Sequence, residues 1–89
     1  MKSIPESAIA YTRTKTFTES TLPSALRGDH RTKDGVWGLL VLEQGTADLV
    51  FHDGERITCT PDHPGVIAPQ RTHHIEGEGP FELHVAFHK

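Results

Sequence analysis

The chain has 89 residues, 35% of them hydrophobic, and a formal net charge of −3 with neutral histidines, which allows one modest core and no separate catalytic and regulatory domains. No apolar run approaches the ~20 residues of a membrane-spanning helix, the opening residues lack the apolar stretch of a secretory leader, and the net acidity argues against nucleic acid, whose footprint is a clustered basic surface. A single cysteine, Cys59, excludes an intramolecular disulfide and a Cys-based zinc centre; with no leader, this composition points to a reducing cytoplasm and no membrane partner.

In chain order, residues 1–9 read as a flexible N-terminal arm ahead of one domain that spans the chain, 1–89. Residues 11–17 (YTRTKTF) alternate and are rich in threonine, so they predict a strand. Residues 19–29 form the loosest stretch, with room for one helical turn at 24–27. Residues 36–42 (VWGLLVL) and 47–52 (ADLVFH) predict the next two strands. Asp53-Gly54 then predicts a two-residue hairpin turn, because glycine tolerates positive φ. Residues 55–60 return as its partner, and the loop Pro61-Asp62-His63-Pro64 leads to a short buried strand at 65–68. Pro69-Gln70-Arg71 turns the chain into a strand at 72–76, and Gly77–Pro80 turns it into the last one, 81–88. Seven short strands with turn signals between them predict an all-β sandwich or barrel.

The last strand admits two readings. Phe81, Leu83, Val85 and Phe87 share one face, and Glu82, His84, Ala86 and His88 the other. Either the apolar face makes the core and the histidines face water, or the apolar face packs between sheets or subunits and His84 looks into a polar cavity.

Seven histidines in so short a chain direct attention to metal binding and proton transfer, the two chemistries imidazole serves near neutral pH. Pro69 to Glu76 (PQRTHHIE) is a proline turn that feeds a strand opening on histidine. Far upstream lies Asp29-His30-Arg31-Thr32-Lys33, followed by a strand ending in Val41-Leu42-Glu43-Gln44-Gly45. This order resembles the cupin pattern, which implies a small double-stranded β-helix barrel gathering a metal from strands that face one another. A divalent ion wants imidazole or carboxylate donors at about 2.0–2.2 Å from one point. The pattern departs from that of cupins in two ways: His30 has no second histidine beside it, and the following glutamate is missing. His30 and His73 therefore need a third ligand, for which His84, Glu76 and His74 are the candidates. On a regular strand His73 and Ile75 share one face and His74 and Glu76 the other, so His73 and Glu76 converge only across a bulge.

A more specific resemblance covers nearly the whole chain. Tyr11-x-Arg13-Thr14, Asp29-His30-Arg31-Thr32-Lys33, Gly35-Val36-Trp37-Gly38, Val41-Leu42, Pro69-Gln70 and His73-x-x-Glu76 look like the tellurite-resistance-B-like small cupin family. That family occurs as stand-alone chains and as a domain fused to an S-adenosylmethionine-dependent methyltransferase associated with tellurite resistance. The resemblance implies a metal at His30 and His73. It leaves His84 or Glu76 to complete the set, and Ala86 stands where family members often carry a carboxylate. Zn, Fe, Ni and Mn all suit such donors, so the ion is not readable. The expected function is a cytoplasmic metal-binding protein that binds or acts on a small molecule or oxyanion. The alternatives are a non-catalytic ligand-binding or sensing module and an accessory subunit of a separate methyltransferase. A homodimer is expected, because pairing would hide sheet edges.

Other residues carry plainer expectations. Trp37 reads as a packing residue, Cys59 as a small buried apolar side chain, and Arg13, Arg31 and Lys33 as candidates for a pocket mouth.

Overall fold

The computed structural model describes residues 3–89; Met1 and Lys2, the first two positions of the expected arm, lie outside them. Eight strands and one short helix follow in order: β1 (Ala10–Arg13), β2 (Phe17–Thr18), α1 (Ser24–Arg27), β3 (Trp37–Gly45), β4 (Ala47–Phe51), β5 (Arg56–Cys59), β6 (Gly65–Ile67), β7 (His73–Glu76) and β8 (Phe81–His88). The fold is all-β. Hydrogen bonding divides the strands between two open sheets rather than closing one barrel. The larger runs β1-β8-β3-β6, with β2 also on β8, and the smaller runs β5-β4-β7.

The core lies between the two sheets and follows from strict alternation. Leu40 and Leu42 of β3 and Leu83 and Val85 of β8 are buried on the inner face of the large sheet, and Leu49, Phe51 and Ile75 on that of the small one. On β8 the first reading holds for the apolar face: Phe81, Leu83 and Val85 are buried. His84 and His88 face away from that core but are only partly exposed to water.

Two local expectations are corrected. The stretch 11–17 is not one strand: β1 ends at Arg13, and pairing resumes at Phe17. In between, Thr14 keeps one ladder bond, its N–H to the Val85 carbonyl, and its hydroxyl replaces the other. Thr14 Oγ1 accepts from the Val85 N–H and donates to the Lys15 carbonyl, and Thr16 Oγ1 donates to Glu43. Side chains that offer the backbone such partners interrupt regular pairing. The hairpin loop is also one residue longer than expected. Phe51 N–H bonds the Glu55 carbonyl, which leaves His52, Asp53 and Gly54 in the turn, with Gly54 at φ 101°. Asp53 Oδ1 accepts the Glu55 N–H, so the aspartate closes the turn from inside, as such residues do.

Candidate functional site

The segment before β3 crosses the end of the small sheet and docks on β7 through a single bridge. His30 N–H donates to the His73 carbonyl at 2.9 Å, and His73 N–H donates back to the His30 carbonyl at 2.8 Å. This bridge brings together two histidines more than forty residues apart. Their ring centres are 4.1 Å apart, at an interplanar angle of 63°.

Both rings are oriented by carbonyls. His30 Nδ1 lies 3.1 Å from the Gly28 carbonyl, and His73 Nδ1 lies 2.7 Å from the Arg71 carbonyl. A carbonyl only accepts, so each Nδ1 carries the proton, and in each neutral ring Nε2 is left as the acceptor. His73 is 1% exposed. Burial drives its pKa down to about 4, opposed by the bond to Arg71 and reinforced by the charges of His30, His74 and Arg71, so His73 is neutral at neutral pH. Neither Nε2 has a hydrogen-bond partner among the described residues. Among the described residues the one side-chain nitrogen or oxygen that is buried without a partner is His88 Nδ1; His30 and His73 both line a cavity.

That cavity has a volume of about 370 Å³ and lies between the sheets. Val36, Ile67, Ile75, Val85 and Phe87 form much of its wall, His30 and His73 contribute the two imidazoles, and Arg31 and Lys33 border it. Thr12, Thr14 and Thr32 add hydroxyls. No carboxylate, thiol or serine lines it among the described residues. Of the three cations expected at a pocket mouth, Arg31 and Lys33 are there; Arg13 is instead drawn to Glu43 and Thr16.

The Arg71 carbonyl that holds His73 is itself anchored. The Arg71 guanidinium stacks on Phe51 with its carbon 3.5 Å from the ring centre. It also reaches Asp53 at 2.8 Å and Glu55 at 2.6 Å. Thr32 Oγ1 accepts the Gln70 N–H at 3.2 Å, which ties the same turn to the His30 segment.

The expected ligand set is only half assembled. His84 sits opposite Val41 on the outer face of the large sheet, its Nδ1 2.7 Å from Glu43 Oε2. It cannot join His30 and His73, because Leu83 and Val85 on either side of it claim the inner face of β8. Glu76 is corrected in the same way. It lies on the outer face of β7, bonded to His74 Nε2 at 2.6 Å and to Arg56 at 3.0 Å, and no bulge turns it inward. His74 spans Glu76 and Asp29, which raise its pKa, the hydrogen bond to Glu76 contributing most. His74 in turn, followed by Arg56, holds Glu76 below the usual carboxylate range. Among the described residues no group of three or more His, Cys, Asp or Glu side chains converges to hold a metal ion.

Trp37 packs opposite His88 on the outer face of β3, away from the cavity. Cys59 is fully buried, and burial pushes its thiol up to about 11, so it is no nucleophile at neutral pH. The threonines at 12, 14 and 32 and the anchoring role of Arg71 escaped the sequence reading. The alternation of Thr12 and Thr14 was the available signal for the first two.

The family described as TehB-like domain matches residues 12–85. The crystal structure of a protein from E. coli strain K12 superposes with a TM-score of 0.90 at 20% identity, covering 100% of this chain and 97% of that one; this is a likeness of fold. The crystal structure of TehB from Haemophilus influenzae superposes with a TM-score of 0.82 at 26% identity, covering 93% of this chain but 32% of that chain. No curated protein matches the chain.

Proposed function

Because the chain belongs to the TehB-like domain family, which is linked to tellurite resistance, we propose that it is a ligand-binding module, built on a cupin-like pairing of sheets, that takes a small organic molecule between them. The observation that carries this reading is the 370 Å³ cavity with apolar walls and two unpaired imidazole nitrogens. Its size is at the lower end for small-molecule sites, and a dry wall with a few convergent polar atoms is how such sites are built. A bare oxyanion suits it poorly. Burying a charge costs far more than the site returns unless the charge is paired, and the cations, Arg31 and Lys33, are on exposed backbone at the border. Binding without turnover is the better fit, since no carboxylate, thiol or serine among the described residues reaches the cavity.

Amide chemical-shift mapping with a panel of small apolar alcohols and arenes tests this. Shifts should centre on His30, His73, Val85 and Phe87 and vanish in Val36→Trp, which fills the cavity from its border. Shifts that ignore the cavity, or none across the panel, would refute the reading.

A second reading has its own observation. The chain corresponds to about a third of TehB from Haemophilus influenzae, so the same fold forms part of a longer chain. An accessory role beside a methyltransferase follows from the sequence resemblance. Co-purification of the untagged chain with such an enzyme would support it, and repeated failure to recover one would count against it.

A further inference from the structure

The two imidazoles define what the ligand's polar end must offer. Each Nδ1 is committed to a carbonyl, so the nitrogen that each neutral ring has left for a ligand in the cavity it lines is the acceptor Nε2. His73 is fully enclosed and cannot readily take a second proton. A carboxylate or phosphate placed against these nitrogens would set lone pair against lone pair, while a hydroxyl would donate to each. The rings are neighbours, 4.1 Å between centres, so the two acceptors suit two donors carried on adjacent atoms. The apolar walls suit a hydrocarbon frame behind those donors. At about 30 Å³ per water, the cavity has the volume of roughly a dozen water molecules, which is room for one small ring and its substituents.

We propose that the cavity recognises a neutral vicinal diol or catechol, its two hydroxyls donating to His30 Nε2 and His73 Nε2 and its apolar frame lying against Ile67, Val85 and Phe87. This rests on the cavity being a binding site, as argued above. The alternatives make different demands. An anionic ligand would have its head at Arg31 and Lys33, away from the imidazoles. A metal would use the same nitrogens but needs donors that lie elsewhere, with His84 held by Glu43 and Glu76 by His74 and Arg56.

The test uses the full chain, stripped of metal with chelator and kept under reductant, titrated with four probes: catechol, 1,2-dimethoxybenzene, benzoate and zinc chloride. Dimethoxybenzene keeps the frame and both oxygens but donates nothing. Catechol should bind at least tenfold more tightly than dimethoxybenzene. His30→Phe should reduce catechol to the level of dimethoxybenzene, and His30→Gln, which restores an acceptor, should recover part of the preference. Equal binding of catechol and dimethoxybenzene would overturn the proposal while leaving the cavity a binding site. Failure of both arenes to bind would overturn the binding site itself. Benzoate binding above catechol would place the head at the cationic border and overturn the donor assignment. Stoichiometric zinc, lost in His30→Phe, would overturn it in favour of a metal pair.

Discussion

Enclosing His73 makes the stability of the whole fold depend on pH in a defined window. Its pKa in the folded protein is about 4, against 6.5 for an ordinary histidine. Below pH 6.5 the unfolded chain takes up a proton that the folded chain refuses, so stability is fully present above 6.5 and is lost as pH falls toward 4. At pH 4.5 these two values give a loss of about 2.5 kcal/mol, a large part of the roughly 5–15 kcal/mol that holds a domain together. The surroundings leave that window clear. His74, with a raised pKa, makes its contribution as pH falls to 6.5 and no further. Glu19, Glu43 and Glu76, with lowered pKa values, begin to lose theirs only as pH nears 4.5, at the bottom of that window. Urea denaturation at intervals between pH 7.5 and 4.5 should show the decline, and His73→Phe, which keeps a ring in the site but cannot titrate, should flatten it. The ring-proton shift of His73 followed by NMR gives the folded-state value directly. An equal decline in parent and variant, or a His73 midpoint near 6.5, would refute the reasoning.

Other expectations rest on other parts of the molecule. Leu49 is 0% exposed at the centre of the small sheet, so Leu49→Ala should cost about 2–5 kcal/mol in urea denaturation, and a cost below about 1 kcal/mol would mean the sheets do not pack as described. Gly45 has φ 76°, and a Cβ there would fall 2.3 Å from the Pro80 carbonyl oxygen, whereas Gly54, at φ 101°, has nothing within 4 Å. Gly45→Ala should therefore destabilise well beyond the ~1–2 kcal/mol left-handed penalty that Gly54→Ala incurs, and comparable midpoints for the two would contradict the contact. Arg71→Ala should speed hydrogen exchange at the His73 amide, because the turn loses its stack on Phe51 and its two ion pairs; unchanged exchange would show that the turn holds itself. His84→Ala and Glu76→Ala should leave binding of any cavity probe unchanged, since both side chains lie on outer faces; a loss in either would return it to the site.

The strands were legible because their alternation is strong. On β8 every second residue from Phe81 is apolar, and on β4 Ala47, Leu49 and Phe51 do the same. The His30–His73 pair was legible too, through motif order rather than periodicity. The outward placement of His84 and Glu76 was not. Alternation says which residues share a face but not which face is inward until the opposing apolar set is weighed, and on β8 Leu83 and Val85 outweigh His84. Glu76 is held by His74 on its own strand and by Arg56, twenty residues away, and no local pattern announces the ion pair across two strands. The break at 14–16 was hidden for a related reason: threonine favours strands but also offers a hydroxyl that replaces a ladder bond, and only the position of Val85 decides between the two.

The pairing of β1 with β8 sets Ala10 against His88 and has Ile9 and Lys89 exchange backbone hydrogen bonds. These residues are nearly the whole chain apart, so the contact carries the largest loop-closure cost of any pairing in the large sheet. β1 lies at the edge of that sheet, and Thr12 and Thr14 bring part of the cavity wall with it. A circular permutant that joins the two ends by a short linker and opens the chain at Asp53-Gly54 would turn this most distant pairing into a local hairpin. The β4–β5 hairpin would become the distant pair in its place, and the β4–β7 and β3–β6 pairings would lengthen with it, so contact order rises and the permutant should fold more slowly than the original connectivity.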